Sequence, residues 1–230
     1  MNEITGWLLD LYSDTRDGLV LWFISEGGER LRLRQNFAVT FALAGPDERL
    51  RAAWRWLQKQ PEKPQLGRSQ GRDLFLPQPV TLLSARVANA AAQPHLFERC
   101  ARAFPDLAYY DADVQLALRH AAVYDTFPLA HCYVKYDDDH LIHELRALDS
   151  AWDVDPLLVP FRCLMLEPDC DPQHDTPRKL KVSYEGHNCE LAFEPIRPLL
   201  INLRAILERY DPDFLLTVWG DTWLLPLLLA

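Results

Sequence analysis

The chain has 230 residues, 49% of them hydrophobic and 11% aromatic, enough apolar surface to bury one large core or two small ones and too much for long disorder. No apolar run reaches the roughly 18–20 residues of a membrane-spanning helix. The net charge of −9 makes a bulk field that repels nucleic acid, so any attraction for phosphate must come from a local patch.

The charge is unevenly spread along the chain. Residues 1–105 carry 14 Lys and Arg against 11 Asp and Glu, a net +3, and residues 106–230 carry 10 against 22, a net −12. The N-terminus lacks the basic-then-apolar layout of a secretion signal, so a cytoplasmic location is expected. The five cysteines (Cys100, Cys132, Cys163, Cys170 and Cys189) are odd in number and include no CxxC pair. That argues against a zinc site or a disulfide framework, and they are expected to be buried small hydrophobes.

Residues 6–12 and 18–25 are apolar and aromatic around the turn Ser13–Asp17, which predicts a β-hairpin. After Glu26-Gly27-Gly28-Glu29, the strict alternation of Arg30-Leu31-Arg32-Leu33-Arg34 predicts a strand with one wet face. Phe37–Leu43 adds a strand. A helix runs from Pro46 to about Lys59 with Leu50, Ala53, Trp54 and Leu57 on one face. Residues 60–72 are polar and rich in breakers, hence a loop. Leu74–Leu76 and Val80–Val87 are expected strands, and Pro94–Phe104 a short helix.

A second helix is expected over Val114–Val123. Cys132–Tyr136, the turn Asp137–Asp139 and His140–Leu148 follow as a hairpin. Phe161–Leu166, apolar except for Arg162, is an expected buried strand ending on Glu167-Pro168-Asp169. Lys179–Tyr184 and Cys189–Phe193 make a further hairpin, Pro198–Tyr210 a helix, Phe214–Thr217 a strand, and Thr222–Leu229 a helix start. The order predicts an α+β fold with a mixed sheet in its last part.

Several constellations carry chemistry in principle. Arg30, Arg32 and Arg34 point one way on a strand, so they either track phosphates or guard a wet edge against aggregation. Arg68 and Arg72 would add to such a patch. Asp137–Asp139 with His140, His143 and Glu144 resembles a metal cluster, but a solvated turn is the expected reading. His174 beside Asp171 and Asp175 reads as surface loop. Trp219 and Trp223 are either a stacking surface for bases or core filler, and the usual burial of Trp favours the second.

Three stretches together resemble archaeal-type family B DNA polymerases. They are Trp7–Leu43 with its "RQNFAVTFAL", Tyr109–Ala130 ("YYDADVQLALRHAAVYDTFPLA"), and Asp211–Leu228 ("DPDFLLTVWGDTWLLPLL"). The last aligns without gaps to the family's second exonuclease motif. The resemblance implies a polymerase N-terminal-like domain over residues 1–130, a connecting hairpin over 131–160, and a truncated exonuclease-like (RNase H-like) domain over 161–230. The family's N-terminal domain can also hold a template-strand base in a pocket.

The departures from the family bear on activity. The first exonuclease motif, Asp-x-Glu in the family, falls on Glu167-Pro168-Asp169, with the two carboxylates swapped in length. The family's Asn falls on Trp219, its Phe on Trp223 and its metal-binding Asp on Leu224, while Asp221 matches a non-catalytic position. Two-metal hydrolysis needs several carboxylates converging on the ions, and leucine offers no ligand. The resemblance therefore implies a polymerase portion that contacts template DNA, as primer–template or single strand, or supports a polymerase core in cis or trans. Proofreading is expected to be lost. No metal or other cofactor is expected, Mg²⁺ entering only if a residual nuclease persists, and no membrane partner is expected. No stretch resembles the polymerase palm, so any synthetic site is expected in sequence beyond this chain. Two other readings stay open: a stand-alone protein-interaction module of the same ancestry, and a nuclease using Glu167 and Asp169 with further partners.

Overall fold

Turn chemistry sets the first strands. The structure, a computed structural model, describes every residue except Asp17, Leu74, Leu76 and Ala230. β1 (Asn2–Asp14) and β2 (Gly18–Ser25) pair antiparallel, and Gly18, with φ 76°, supplies the left-handed residue that ends their turn. β3 (Arg30–Gln35) returns along β2 with Arg32 opposite Trp22.

An inserted layer follows. It comprises β4 (Val39–Ala44), α1 (Asp47–Leu57), β5 (Gln65–Gly71), β6 (Val80–Val87), α2 (Gln93–Ala103) and β7 (Ala108–Tyr110). Its sheet has the order β5-β6-β4-β7 with every neighbouring pair antiparallel, a split β-α-β arrangement. α1 and α2 bury Leu50, Ala53, Leu57, Leu96 and Cys100 in one core with Phe41, Leu43, Leu83 and Ala85.

α3 (Leu116–Tyr124) leads to β8 (His131–Tyr136), which pairs with β1 from Asn2↔Tyr136 to Trp7↔His131. β9 (Ile142–Ala147) completes a sheet of order β3-β2-β1-β8-β9. Arg34 makes a parallel bridge to Leu141, so β3 meets the start of β9 and the sheet curls towards a closed barrel. Leu19, Leu21, Phe23, Leu33, Cys132 and Val134 are in its core.

The chain divides into two units, Met1–Val159 and Pro160–Ala230. The hairpin expected to connect two domains over 131–160 thus belongs to the first unit, because β8 finds its partner in β1. In the second unit β10 (Cys163–Pro168), β11 (Lys179–Tyr184) and β12 (His187–Ala192) form an antiparallel meander. α4 (Ile196–Tyr210) then crosses over, and β13 (Phe214–Thr217) lies parallel to β10. A π-helical turn, Gly220–Leu224, and α5 (Leu225–Leu229) follow. The fold is α+β.

Some expectations need correction. The polar stretch 60–72 contains β5, a sheet-edge strand with little burial and therefore little hydrophobic pattern. Leu74 and Leu76 lie outside the described residues, and Phe75 between them is 92% exposed in a turn, not a strand. β10 is not buried throughout: Leu164, Leu166 and Pro168 point inward while Cys163 and Met165 are exposed. Only Cys100 and Cys132 are buried cysteines, since Cys163 is exposed and Cys170 and Cys189 are half-buried.

One glycine marks where two backbones press together. A Cβ at Gly6 would stand 2.8 Å from the Ser25 Cα and closer still to the Ile24 carbonyl oxygen. Both are backbone atoms and cannot swing aside. Gly6→Ala is expected to destabilise the first unit by about 3 kcal/mol, read as a drop in the urea midpoint at unchanged slope.

Candidate functional site

The first candidate lies at the rim of the curled sheet. Arg34 is half-buried. Its backbone N–H donates to the His140 carbonyl at 2.9 Å and its Nε donates to the Asp139 carbonyl at 3.1 Å. Arg30 donates to the Gly28 carbonyl, and Arg32 is exposed on the strand. Between the β1–β2 turn and the β8–β9 turn opens a cleft of about 330 Å³, lined by Arg16, Arg34, Gln35, Asn36, Phe37, Asn89 and Leu141 among others. Asn89 anchors one wall by donating to the Thr15 carbonyl at 3.2 Å while accepting from the Ala91 N–H at 2.9 Å.

A buried polar network backs this cleft. His120 contacts Gln35 Oε1 through Nε2 at 2.9 Å and Thr126 Oγ1 through Nδ1 at 2.6 Å, with the Phe37 and Tyr124 rings against it. Burial pushes the His120 pKa down to about 4, so the ring is neutral at pH 7 and the network is held by hydrogen bonds alone. The sequence singled out Arg34 but not Arg16, Asn36 or Asn89. Arg16 carries one signal, a cation in the turn beside a basic strand; the two asparagines carry no periodic pattern.

Arg68 and Arg72 do not join this cleft. Arg68 is on β5, pairs with Asp47 at 3.0 Å, and lines a separate cavity beside α1. Arg72 is exposed just past β5. Drawn by unit, the charge also loses its polarity. Residues 1–159 carry 17 Lys and Arg against 22 Asp and Glu, and residues 160–230 carry 7 against 11, so both units are acidic at −5 and −4. Basic character is confined to small patches.

The second candidate is the region matching the exonuclease motifs. Glu167 lies near the end of β10, opposite Lys181 of β11, and Pro168 closes the strand opposite Leu180, a strand end being where proline is tolerated. Asp169 is committed to the turn that follows. Its carboxylate accepts the Arg178 N–H at 2.9 Å, and its own N–H donates to the Lys179 carbonyl at 3.0 Å. Burial raises its pKa, but backbone N–H groups favour the anion more and hold it below the usual carboxylate range. Leu224 is fully buried with Leu164, Leu166, Leu180, Leu199 and Leu203. Trp223 packs edge-on against Phe193 at 5.3 Å, and Trp219, half-buried with φ 60°, accepts the Trp223 and Leu224 N–H groups on its carbonyl.

Among the described residues, no group of three or more His, Cys, Asp or Glu side chains is gathered as a metal ion requires. The Asp137 carboxylate caps its own turn, accepting the Asp139 and Leu141 N–H groups and meeting His143 Nε2 at 2.8 Å. His174 pairs with Asp171 at 2.9 Å on the surface.

The class of fold is thus set: a curled five-stranded sheet carrying an inserted β-α-β-β-α-β layer, then a meander whose fourth strand is parallel to its first. It is similar to the solved structure of the family B DNA polymerase from the hyperthermophilic archaeon Pyrobaculum calidifontis. The TM-score is 0.66 at 16% identity, covering 98% of this chain and 32% of that one, so the chain spans about a third of that polymerase. At this identity the likeness establishes the fold. No protein-family model and no curated protein matches the chain. No described helix is long and apolar enough to cross a membrane.

Proposed function

We propose that this chain is a polymerase-derived module that contacts single-stranded template DNA through the cleft at β3, and that its exonuclease-like unit no longer hydrolyses DNA. The observation that carries the reading is the placement of Arg16 and Arg34 at one cleft with Asn36 and Asn89. Two guanidinium groups suit phosphates, and two carboxamides suit base edges or sugars. The barrel adds support. With β1, β2, β3, β8 and β9 as its five strands and β3 meeting β9, it has the connectivity of an OB-type barrel, a fold that binds oligonucleotides at its second and third strands and adjoining loops. The likeness to a family B polymerase points the same way. In the second unit, the committed Asp169 and the buried Leu224 support the loss of proofreading.

A second reading, a support role for a polymerase core, is favoured by the apolar exposure of Phe214, Leu215 and Leu216 on the edge strand β13.

Labelled single-stranded DNA titrated at several salt concentrations, with Mg²⁺ present and the products run on a gel, tests the first reading. Binding should weaken with salt and leave the DNA at full length. Arg16→Ala/Arg34→Ala should lower the slope of log K against log salt by about 1.4, two contacts at about 0.7 each. An unchanged slope would move the reading to protein support, and shortened DNA would restore the nuclease.

A further inference from the structure

A cavity of about 380 Å³ opens between α1 and the β5–β6 edge of the inserted sheet and shares no lining residue with the cleft at β3. Helical periodicity builds it. Leu50, Ala53 and Leu57 are buried, while Arg51 and Arg55, one turn apart, are exposed, with Trp54 half-buried beside them. Arg68 reaches in from β5, and Leu82 and Leu83 form the apolar base. Three guanidinium groups thus face one carboxylate, that of Asp47. Arg68 holds it at 3.0 Å, but both side chains are more than half exposed, so the pair is screened and yields easily to a competing anion. Arg51 donates only to the Asp47 carbonyl, at 3.3 Å, and Arg55 has no side-chain partner among the described residues.

We propose that this cavity is a nucleotide site, with the base stacked on the Trp54 indole and the phosphates held by Arg51, Arg55 and Arg68. The volume falls within the roughly 300–1,000 Å³ of small-ligand pockets. An indole face beside guanidinium groups is the pairing that bases and phosphates exploit together. The nucleotide is either free or one unit of a single strand, and the site stands whether or not the β3 cleft binds DNA.

Calorimetric titration of the full chain with dATP, with tripolyphosphate and with a short single-stranded oligonucleotide separates these sources. Arg55→Ala/Arg68→Ala alters only exposed side chains, and circular dichroism checks that it folds. A free-nucleotide site predicts that dATP binds at least about 10-fold tighter than tripolyphosphate and about 10-fold weaker to this variant. The same loss seen only with the oligonucleotide assigns the site to a nucleotide within a strand. Failure of dATP and the oligonucleotide alike to bind, binding of these two unaffected by Arg55→Ala/Arg68→Ala, or dATP that binds but no tighter than tripolyphosphate overturns the proposal.

Discussion

Leu224→Asp is expected to unfold the second unit and not to install a metal ligand. The leucine is fully buried among Leu164, Leu166, Leu199 and Leu203. Removing it forfeits about 2–3 kcal/mol of apolar burial. The new carboxyl must stay neutral or lie uncompensated in an apolar surround, for about 1–3 kcal/mol more. Together these reach about 4 kcal/mol, a large part of the roughly 5–15 kcal/mol that holds an ordinary domain together. Limited proteolysis of the full chain is the direct reading. Residues 160–230 should be digested readily in the variant, while a fragment near Met1–Val159 persists. A variant as resistant as the parent that also binds Mn²⁺ by calorimetry would show that the position still accepts a ligand, and the case for a lost site would fail with it.

The second large effect is acid sensitivity of the first unit. His120 titrates at about 4 in the fold against an ordinary 6.5, because burial opposes its charged form. Between those values the unfolded chain binds a proton that the folded chain refuses. The stability from His120 is therefore complete above pH 6.5 and lost as pH falls, by about 3 kcal/mol at pH 4. Carboxylates with depressed pKa, such as Asp106 beside Arg49 and Glu62 beside Arg99, act around and below their ordinary values of 3.8 and 4.5, so the upper part of this window, above about pH 5, belongs to the histidine. His120→Gln should cost about 1–2 kcal/mol at pH 8, since it cannot reach Gln35 and Thr126 together. It should also flatten the stability profile between pH 6.5 and 4. Urea midpoints across that range decide the matter, and an unchanged slope in the variant would remove His120 as the cause.

His120 and Leu224 are residues whose meaning differs between sequence and fold. In sequence, His120 is one polar residue inside a helix. Its weight comes from Gln35 and Thr126, the first 85 positions away. Leu224 could be matched to a motif position by resemblance, but its place at the centre of an apolar cluster depends on β10, β11 and α4 meeting. Asp169 shows the same limit: as a letter beside Glu167 it resembles half a metal site, and in the fold its carboxylate is occupied by the Arg178 N–H.

What the sequence alone determined was local. The alternation of Arg30–Arg34, the turns at Glu26–Glu29 and Asp137–Asp139, and the apolar faces of α1, α2 and α4 each arise from neighbours within one or two turns of chain. Propensity and periodicity therefore read them to within a few residues. The tertiary structure decided whatever joins distant segments. β8 pairs with β1 across more than a hundred residues, a match set by which apolar faces bury each other. β5 was illegible because an exposed edge strand is held mainly by backbone hydrogen bonds, which leave little trace in side-chain pattern. The cleft of Arg16, Arg34, Asn36 and Asn89 was illegible as a group for the related reason that the two turns forming it meet only when the five strands curl and β3 reaches β9.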